Sequence, residues 1–348
     1  MKESPEFRIV GDDTPENKAA LVADLNAAFH ENTMFGIKPD IQEKIRDQEI
    51  EKSELALEVI DYVNKKVDEL MMDLGLEAVE FPAENIHILP AQLYSEINGP
   101  SSSGQAKQEN QAVFVNSDFL RRSPTSGAAT MYHEVLHLNG HFAGEMNKDT
   151  PHTTFYRKGL VIYPLQAKRE QRINTQLEKP WTLFWGLNEA IIQRATRKFN
   201  LEILDDIEFE GETKWMKSPE YIEERVKIAE HLGIDPSEID WISEDRKNYT
   251  LDSYPEYRKV YSYVLEEIAK RFPDEYKDTD TVDKEFLKAT FTGHMVKIGR
   301  LVEKTFGPGS FRTLGNMHSQ KPDEPFSAQE TMEELKEMRT TFIQHTQK

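Results

Sequence analysis

Two histidines and a glutamate with a fixed spacing are the residues of this chain best suited to chemistry. His133, Glu134 and His137 form the pattern H-E-x-x-H within a stretch that is predicted to be helical. Positions four apart lie on one face of a helix, about 5–6 Å from each other, so two imidazoles there can bind one zinc ion while the glutamate holds a water molecule. The competing interpretation is a buried amphipathic helix with two hydrogen-bonded histidines.

A zinc site needs a third protein ligand, and His141 is the nearest candidate. On an unbroken helix it would lie ~12 Å from His133, so Gly140 would have to end the helix to bring it back. The extended pattern H-E-x-x-H-x-x-G-x-x-H is excluded, because Ala143 occupies its last position and cannot bind a metal.

Glu189 is the stronger candidate, and it lies in the first turns of a second predicted helix. Here the chain resembles the gluzincin metallopeptidases, whose thermolysin-like members carry H-E-x-x-H on one helix and a glutamate ligand in G-x-x-N-E-x-x-S-D on a later one. Segment 186–191 is similar to the first half of that motif, with one residue fewer after the glycine. The resemblance implies that His133, His137 and Glu189 bind zinc and that Glu134 is the general base.

The second half of the motif differs. Ile192 and Gln193 replace its serine and aspartate, so the carboxylate that orients a ligand histidine in the family is missing or comes from elsewhere. The alternative for Glu189 is an ordinary glutamate favoured by the helix dipole near a helix start.

The resemblance implies zinc-dependent hydrolysis of peptide bonds. Zinc would lower the pKa of its water towards ~7, and Glu134 would take the proton and later return it to the leaving amine. The oxyanion needs one more donor, usually a tyrosine or histidine in this type of enzyme. The C-terminal helices offer Tyr254, Tyr257, Tyr261 and His294, of which we select Tyr254, beside a proline at a helix start, and His294.

Composition limits the remaining possibilities. The 348 residues are 38% hydrophobic and 30% charged, as expected of a soluble globular protein. The net charge of −19 argues against binding to nucleic acid or to an anionic membrane. There is no cysteine, so any metal must be held by nitrogen and oxygen. We find no signal peptide or long apolar run, and we expect a cytoplasmic protein.

The predicted fold class is α+β: mostly helical, with a zincin-like catalytic core, a small antiparallel sheet and a helical C-terminal region. We expect an N-terminal helical segment at 1–80, the catalytic region at 81–204 and the C-terminal region at 205–348. A hairpin is predicted at about 153–178, where Tyr156 and Arg157 are more typical of exposed positions than of a metal site.

Three further expectations concern single elements. Residues 112–116 form a strand that is either the free edge pairing with extended substrate or an ordinary central strand. Residues 284–306 form one helix, and the tail from 319 to 348 forms another. His87, His231, His318 and His345 are read as structural or surface residues.

The favoured function is therefore a zinc metallopeptidase of gluzincin type that cuts peptides or unfolded protein segments. One alternative is a zinc hydrolase of a non-peptide amide or ester, since the same site polarises any carbonyl. The other is a non-catalytic helical interaction protein. Oligomeric state and substrate sequence preference stay open.

Overall fold

Helices dominate the fold. The computed structural model describes residues 2–34, 36–100, 102–148, 150–163, 182–207, 209, 211–317 and 326–346. The helices are α1 (Pro15–Glu31), α2 (Pro39–Gln48), α3 (Glu54–Asp73), α4 (Ala91–Asn98), α5 (Ser117–Arg122), α6 (Pro124–Asn139), α7 (Trp185–Asp206), α8 (Glu212–Met216), α9 (Pro219–Leu232), α10 (Pro255–Arg271), α11 (Thr279–Thr292), α12 (Val296–Phe306), α13 (Ser310–Gly315) and α14 (Ala328–Thr346).

The strands are short and form small sheets. They are β1 (Phe7–Val10), β2 (Ile86–Leu89), β3 (Gly104–Lys107), β4 (Ala112–Asn116), β5 (Phe142–Asn147), β6 (Thr150–Lys158), β7 (Val161–Ile162), β8 (Ile239–Ile242) and β9 (Tyr249–Leu251). This composition of elements confirms the predicted α+β class.

The chain forms two compact units, each assembled from three separate segments. The first comprises residues 2–5, Ala23–Asn139 and Ala195–Pro255. The second comprises Glu6–Val22, Gly140–Arg194 and the chain from Glu256 onward. The division into 1–80, 81–204 and 205–348 stays a prediction. No helix in the described part of the chain is long and apolar enough to cross a membrane.

The first unit contains a three-stranded sheet in the order β2-β4-β3, against which α6 packs. β2 runs parallel to β4, and β3 runs antiparallel to it. Residues 112–116 are thus a strand, as predicted, and of the two alternatives the central strand is correct, because β4 lies between β2 and β3. The two edges are β2 and β3, and the sequence of β3, Gly-Gln-Ala-Lys, lacks the β-branched and aromatic residues that mark a strand.

The second unit contains a four-stranded sheet in the order β1-β5-β6-β7. β1 is parallel to β5, and the other two pairings are antiparallel. The first arm of the predicted hairpin, at 153–163, is in fact two strands, because the chain turns at Gly159 and Leu160 between β6 and β7. The predicted second arm, at 172–178, lies outside the described residues.

The single helix predicted at 284–306 is in fact two helices. α11 ends at Gly293, which has a φ of +73° and whose N–H donates to the carbonyl of Ala289. A side chain on Gly293 would lie 2.5 Å from a ring atom of His141. The helix therefore ends where a left-handed glycine is required and where another side chain leaves no room for a β-carbon. The tail prediction is confirmed over 328–346, which α14 occupies.

Serine side chains cap two of the helices at their N-termini. The side chain of Ser53 accepts from the N–H of Ala56 at the start of α3, and that of Ser218 accepts from the N–H of Tyr221 at the start of α9. These bonds satisfy N–H groups that have no partner within the helix.

A buried asparagine joins α3 to the segment that leads into β2. Asn64 donates through Nδ2 to the carbonyl of Phe81 at 2.9 Å and accepts at Oδ1 from the N–H of Phe81 at 3.1 Å. The side chain therefore pairs with both backbone groups of a fully buried residue, as a neighbouring strand would.

Replacing Asn64 by leucine is expected to lower the free energy of unfolding by about 2–4 kcal/mol, because two buried backbone groups lose their partners. Urea denaturation of Asn64→Leu, beside the exposed control Lys65→Ala, measures the difference. Equal midpoints for the two variants would contradict a structural role for this pair of bonds.

Candidate metal centre

The helix that carries the H-E-x-x-H pattern is fixed at its N-terminus by side chains of its own unit. Ser123 caps α6 by accepting from the N–H of Ser126 at 3.1 Å. Glu212 accepts from both the N–H and the hydroxyl of Thr125, and Asp240 accepts from the hydroxyl of Ser126. Two carboxylates at the positive end of the helix dipole stabilise the helix. Burial raises the pKa of Asp240 above its ordinary value.

His133 and His137 lie one turn apart on α6, and their rings face each other. Their Nε2 atoms are 3.0 Å apart, and the ring planes are inclined by 65°. His133 is buried and His137 is partly buried. Two imidazole nitrogens this close fit a shared cation, since the ligands of a tetrahedral zinc ion with bonds of ~2.1 Å lie ~3.4 Å apart.

Glu189 completes the group. Its carboxylate and the two histidine nitrogens all lie within 4.8 Å of one another. These three side chains can therefore hold a metal ion, as predicted from the sequence. Among the described residues, these three form the group of possible metal ligands whose donor atoms lie this close together.

Glu189 is held in place by the residues that precede it in its helix. The N–H of Leu160 donates to Oδ1 of Asn188 at 3.0 Å, which attaches the start of α7 to the turn between β6 and β7. A β-carbon on Gly186 would collide with the carbonyl oxygen of Met317. Gly186 and Asn188 thus pack and anchor the start of α7, which positions Glu189.

Thr196 supplies a partner for a ligand histidine. It follows Glu189 by seven residues, about two helical turns, and so lies on the same face of α7. Its hydroxyl lies 3.4 Å from Nδ1 of His133. A hydroxyl that accepts from a proton on Nδ1 would leave the lone pair of Nε2 for a metal ion. The aspartate position of the G-x-x-N-E-x-x-S-D pattern is occupied here by Gln193.

His141, the other candidate for third ligand, lies apart from the group. α6 ends at Asn139, and the N–H of His141 donates to the carbonyl of Thr290. Its imidazole packs against Gly293, and burial, together with the nearby Arg157, lowers its pKa to about 4. The helix does end before Gly140, as a His141 ligand would require, but His141 is not part of the group formed by His133, His137 and Glu189.

Glu134 faces the edge strand of its own unit. Its Oε2 accepts from the N–H of Ala106 on β3 at 2.6 Å. A β-carbon on Gly104 would collide with the Thr130 side chain and would lie 3.0 Å from Cγ of Glu134. The lack of a side chain at Gly104 therefore allows β3 to approach the helix closely enough for this hydrogen bond.

Two of the four predicted oxyanion donors lie near the ligands. Tyr254 immediately precedes α10 with a φ of +59°, and its ring lies 6.3 Å from that of His133, nearly parallel to it. A positive φ in a tyrosine is strained, and such strain concentrates at functional sites. The pKa of Tyr257 is raised by burial and by the negative charge of Glu189.

The other two lie in different surroundings. Tyr261 is fully buried and donates its hydroxyl to Asp283 at 2.6 Å, so its proton is already engaged in the core. His294 is exposed in the turn between α11 and α12, where its N–H donates to the hydroxyl of Thr292. Donation from Tyr254 or His294 to a reacting group stays a prediction.

The histidines read as structural or surface residues are so placed. His87 is buried, and its Nδ1 lies 2.9 Å from a carboxylate oxygen of Glu49. His231 and His345 are exposed. His318 lies outside the described residues.

Sequence reasoning missed three residues that surround the ligands and the base. They are Thr196, Gln108 and Tyr94. Nε2 of Gln108 donates to the carbonyl of His137 at 2.5 Å. The pKa of Tyr94 is raised to about 12 by burial and, to a smaller degree, by the charge of Glu134. Only Thr196 carries a local signal, since it shares a helix face with Glu189.

Comparisons with known proteins add no assignment. No protein-family model matches the chain, and neither a curated protein nor a solved structure matches it significantly.

Metal binding is expected to depend on Glu189 and not on His141. Purified wild type should contain about one metal ion per chain, because three converging ligands are enough for a tight site. His133→Ala and Glu189→Ala should lose it, whereas the matched control His141→Ala should retain it. Mass spectrometry of metal content measures all four proteins. Loss of metal from His141→Ala together with its retention in Glu189→Ala would reverse the assignment.

Removing the hydroxyl from Thr196 is expected to weaken metal binding about tenfold, because the His133 imidazole loses the partner that orients it. Competition with a chromophoric chelator gives the affinities of Thr196→Val and of Thr196→Ser, which keeps the hydroxyl. The serine variant should bind like wild type. If both variants bind equally weakly, packing rather than the hydroxyl is responsible.

Proposed function

We propose that this protein is a zinc-dependent metallopeptidase of gluzincin type that hydrolyses peptide bonds. The observation that carries the proposal is the convergence of His133, His137 and Glu189, with Glu134 next to the first of them in the sequence. A buried histidine pair serving only the core would not need a carboxylate from another helix. This argument favours an enzyme over a helical interaction protein.

The donor set favours zinc. Two imidazole nitrogens and one carboxylate oxygen are a common protein ligand set of catalytic zinc, and they leave a position open for water or substrate. The absence of cysteine removes thiolate alternatives. When bound, zinc acidifies a water molecule and polarises a carbonyl group.

Glu134 is the proposed general base. It cannot point at the metal as its two histidine neighbours do, because it lies at a different angle on α6, and its carboxylate is oriented by the N–H of Ala106. One carboxylate oxygen is thereby fixed on β3, and the other is available to accept a proton from water. The same carboxylate then delivers that proton to the amine that leaves.

The edge strand β3 supports a peptide as substrate. The carbonyl of Ser103 accepts from the N–H of Asn116 in β4. Because backbone groups of successive residues in an antiparallel strand face alternate sides, the N–H and C=O groups of Gly104 and Ala106 face away from β4, towards the free edge. The N–H of Ala106 is donated to Glu134, and the N–H and carbonyl of Gly104 can pair with an extended peptide beside it. A small amide or ester would not need a strand edge, so we favour peptide over non-peptide substrates.

Tyr254 is the proposed oxyanion donor, because its ring lies beside His133. His294 stays a second, weaker candidate, since its described contacts are with the turn that contains it. Short peptides or unfolded segments in the cytoplasm are the proposed substrates, and neither nucleic acid nor membrane is a proposed partner.

Glu134→Gln should strongly reduce peptide hydrolysis while leaving metal content unchanged. The amide cannot accept a proton from water, and loss of a general base reduces turnover roughly 10²- to 10⁴-fold. A fluorescence-quenched peptide library screened with wild type gives the substrate, and kcat is then compared between the two proteins.

The metal content of Glu134→Gln is the control, since the variant keeps all three ligands. Wild type that holds metal but cleaves no peptide, and instead cleaves amide or ester substrates, would support the non-peptide hydrolase. Metal-loaded wild type without any hydrolytic activity would contradict an enzymatic role.

A further inference from the structure

Two arginines flank an alanine on one face of the four-stranded sheet in the second unit. In the register of the sheet, Arg8 of β1 pairs with Ala143 of β5, which in turn pairs with Arg157 of β6. Neighbouring strands lie ~4.8 Å apart, so the two arginine α-carbons are separated by about 10 Å. The small Ala143 side chain between them leaves space above the sheet that two long side chains can share.

The opposite face of the same strands is aromatic. Phe142 packs edge-to-face with Phe7 at 6.0 Å and stacks on Phe155 at 4.6 Å. Because successive residues of a strand point to opposite faces, Phe7 and Phe142 place Arg8 and Ala143 on the other face. In β6 a bulge interrupts the alternation, so that Phe155 pairs with Gly144 and Arg157 with Ala143, which places Arg157 on the face of Arg8. Their placement together therefore follows from the sheet and does not depend on surface side-chain conformers.

A histidine adjoins this arginine pair. His141 precedes Ala143 by two residues, and its backbone N–H and carbonyl are both bonded, to the carbonyl of Thr290 and the N–H of Gly159. Burial, then the positive charges of Arg157 and Arg8, lowers the pKa of His141 to about 4. Gly159, whose N–H is bonded to His141, also accepts at its carbonyl from Nε of Arg157, so the same turn holds the histidine and this guanidinium.

These positive groups lack matching carboxylates in the described part of the chain. Arg157 is partly buried; its Nε donates to the carbonyl of Gly159 at 3.3 Å, but its buried Nη2 has no hydrogen-bond partner there. Arg8 forms no ion pair with a described residue, and neither does Glu145, which lies two residues beyond Ala143 on the same face. Glu6 favours a charged His141, but it is exposed and its effect is smaller than that of either arginine.

We propose that Arg8, His141 and Arg157 form a binding site for a small anion, a phosphate or a carboxylate group. A buried guanidinium nitrogen without an acceptor is costly, and an oxyanion would satisfy it. Guanidinium groups match both anions in geometry, because each can donate two parallel hydrogen bonds. In a chain with a net charge of −19, such a concentration of positive charge is a local exception. The site is independent of the proposed peptidase activity.

Isothermal titration calorimetry at low ionic strength tests the site with two probes, inorganic phosphate and N-acetylglycine. Wild type should bind at least one of them, and the tighter probe identifies the anion class. Arg8→Gln and Arg157→Gln should each weaken binding about tenfold, since each removes a charge-assisted hydrogen bond. The matched control Arg300→Gln, an exposed arginine of the same unit, should bind like wild type.

Nuclear magnetic resonance of the His141 imidazole gives a second readout. The bound anion favours the charged imidazole, so its pKa should rise when the probe is added, and His141→Gln assigns the resonance. If Arg157→Gln does not fold, Arg8→Gln decides, because Arg8 is exposed. The proposal is overturned if wild type binds neither probe, or if Arg8→Gln binds as tightly as wild type and the His141 pKa does not move.

Discussion

The register between α6 and α7 is the constraint on which the candidate metal centre depends. Tyr132 stacks on Phe199 with ring centroids 4.2 Å apart and planes only 9° from parallel. His133 follows Tyr132 on α6, and Thr196 precedes Phe199 by one turn on α7. The aromatic pair thus fixes the level at which the two helices face each other. A slip by one turn, about 5.4 Å, would separate Thr196 from His133 and remove Glu189 from the histidines.

Elements around α6 maintain that register. The capped N-terminus of the helix is bound by Glu212 and Asp240, and the opposite flank is bound by β3 through Glu134. These contacts engage polar groups in largely buried surroundings, where unpaired groups would be costly. The helix therefore has few alternative positions, and a rigid support of this kind is what a metal site requires.

The sequence predicts the parts of the site that depend on local spacing. His133 and His137 are separated by one helical turn, and the Asn-Glu pair at 188–189 is a local pattern. Both can therefore be recognised from the sequence alone. β3 cannot be recognised from the sequence, because its residues have low strand propensity and the strand is formed by its pairing with β4. The end of α11 at Gly293 depends on the ring of His141, more than a hundred residues away in the sequence. Similarly, nothing in the sequence near His133 indicates that Thr196 would adjoin its Nδ1.

Anomalous diffraction from crystals grown with zinc tests the central claim most directly, because it locates the ion and its ligands together. Data on both sides of the zinc absorption edge should show a peak within ~2.2 Å of Nε2 of His133, Nε2 of His137 and a carboxylate oxygen of Glu189. A peak coordinated by His141 in place of Glu189, or no peak beside the two histidines of α6, would contradict the account.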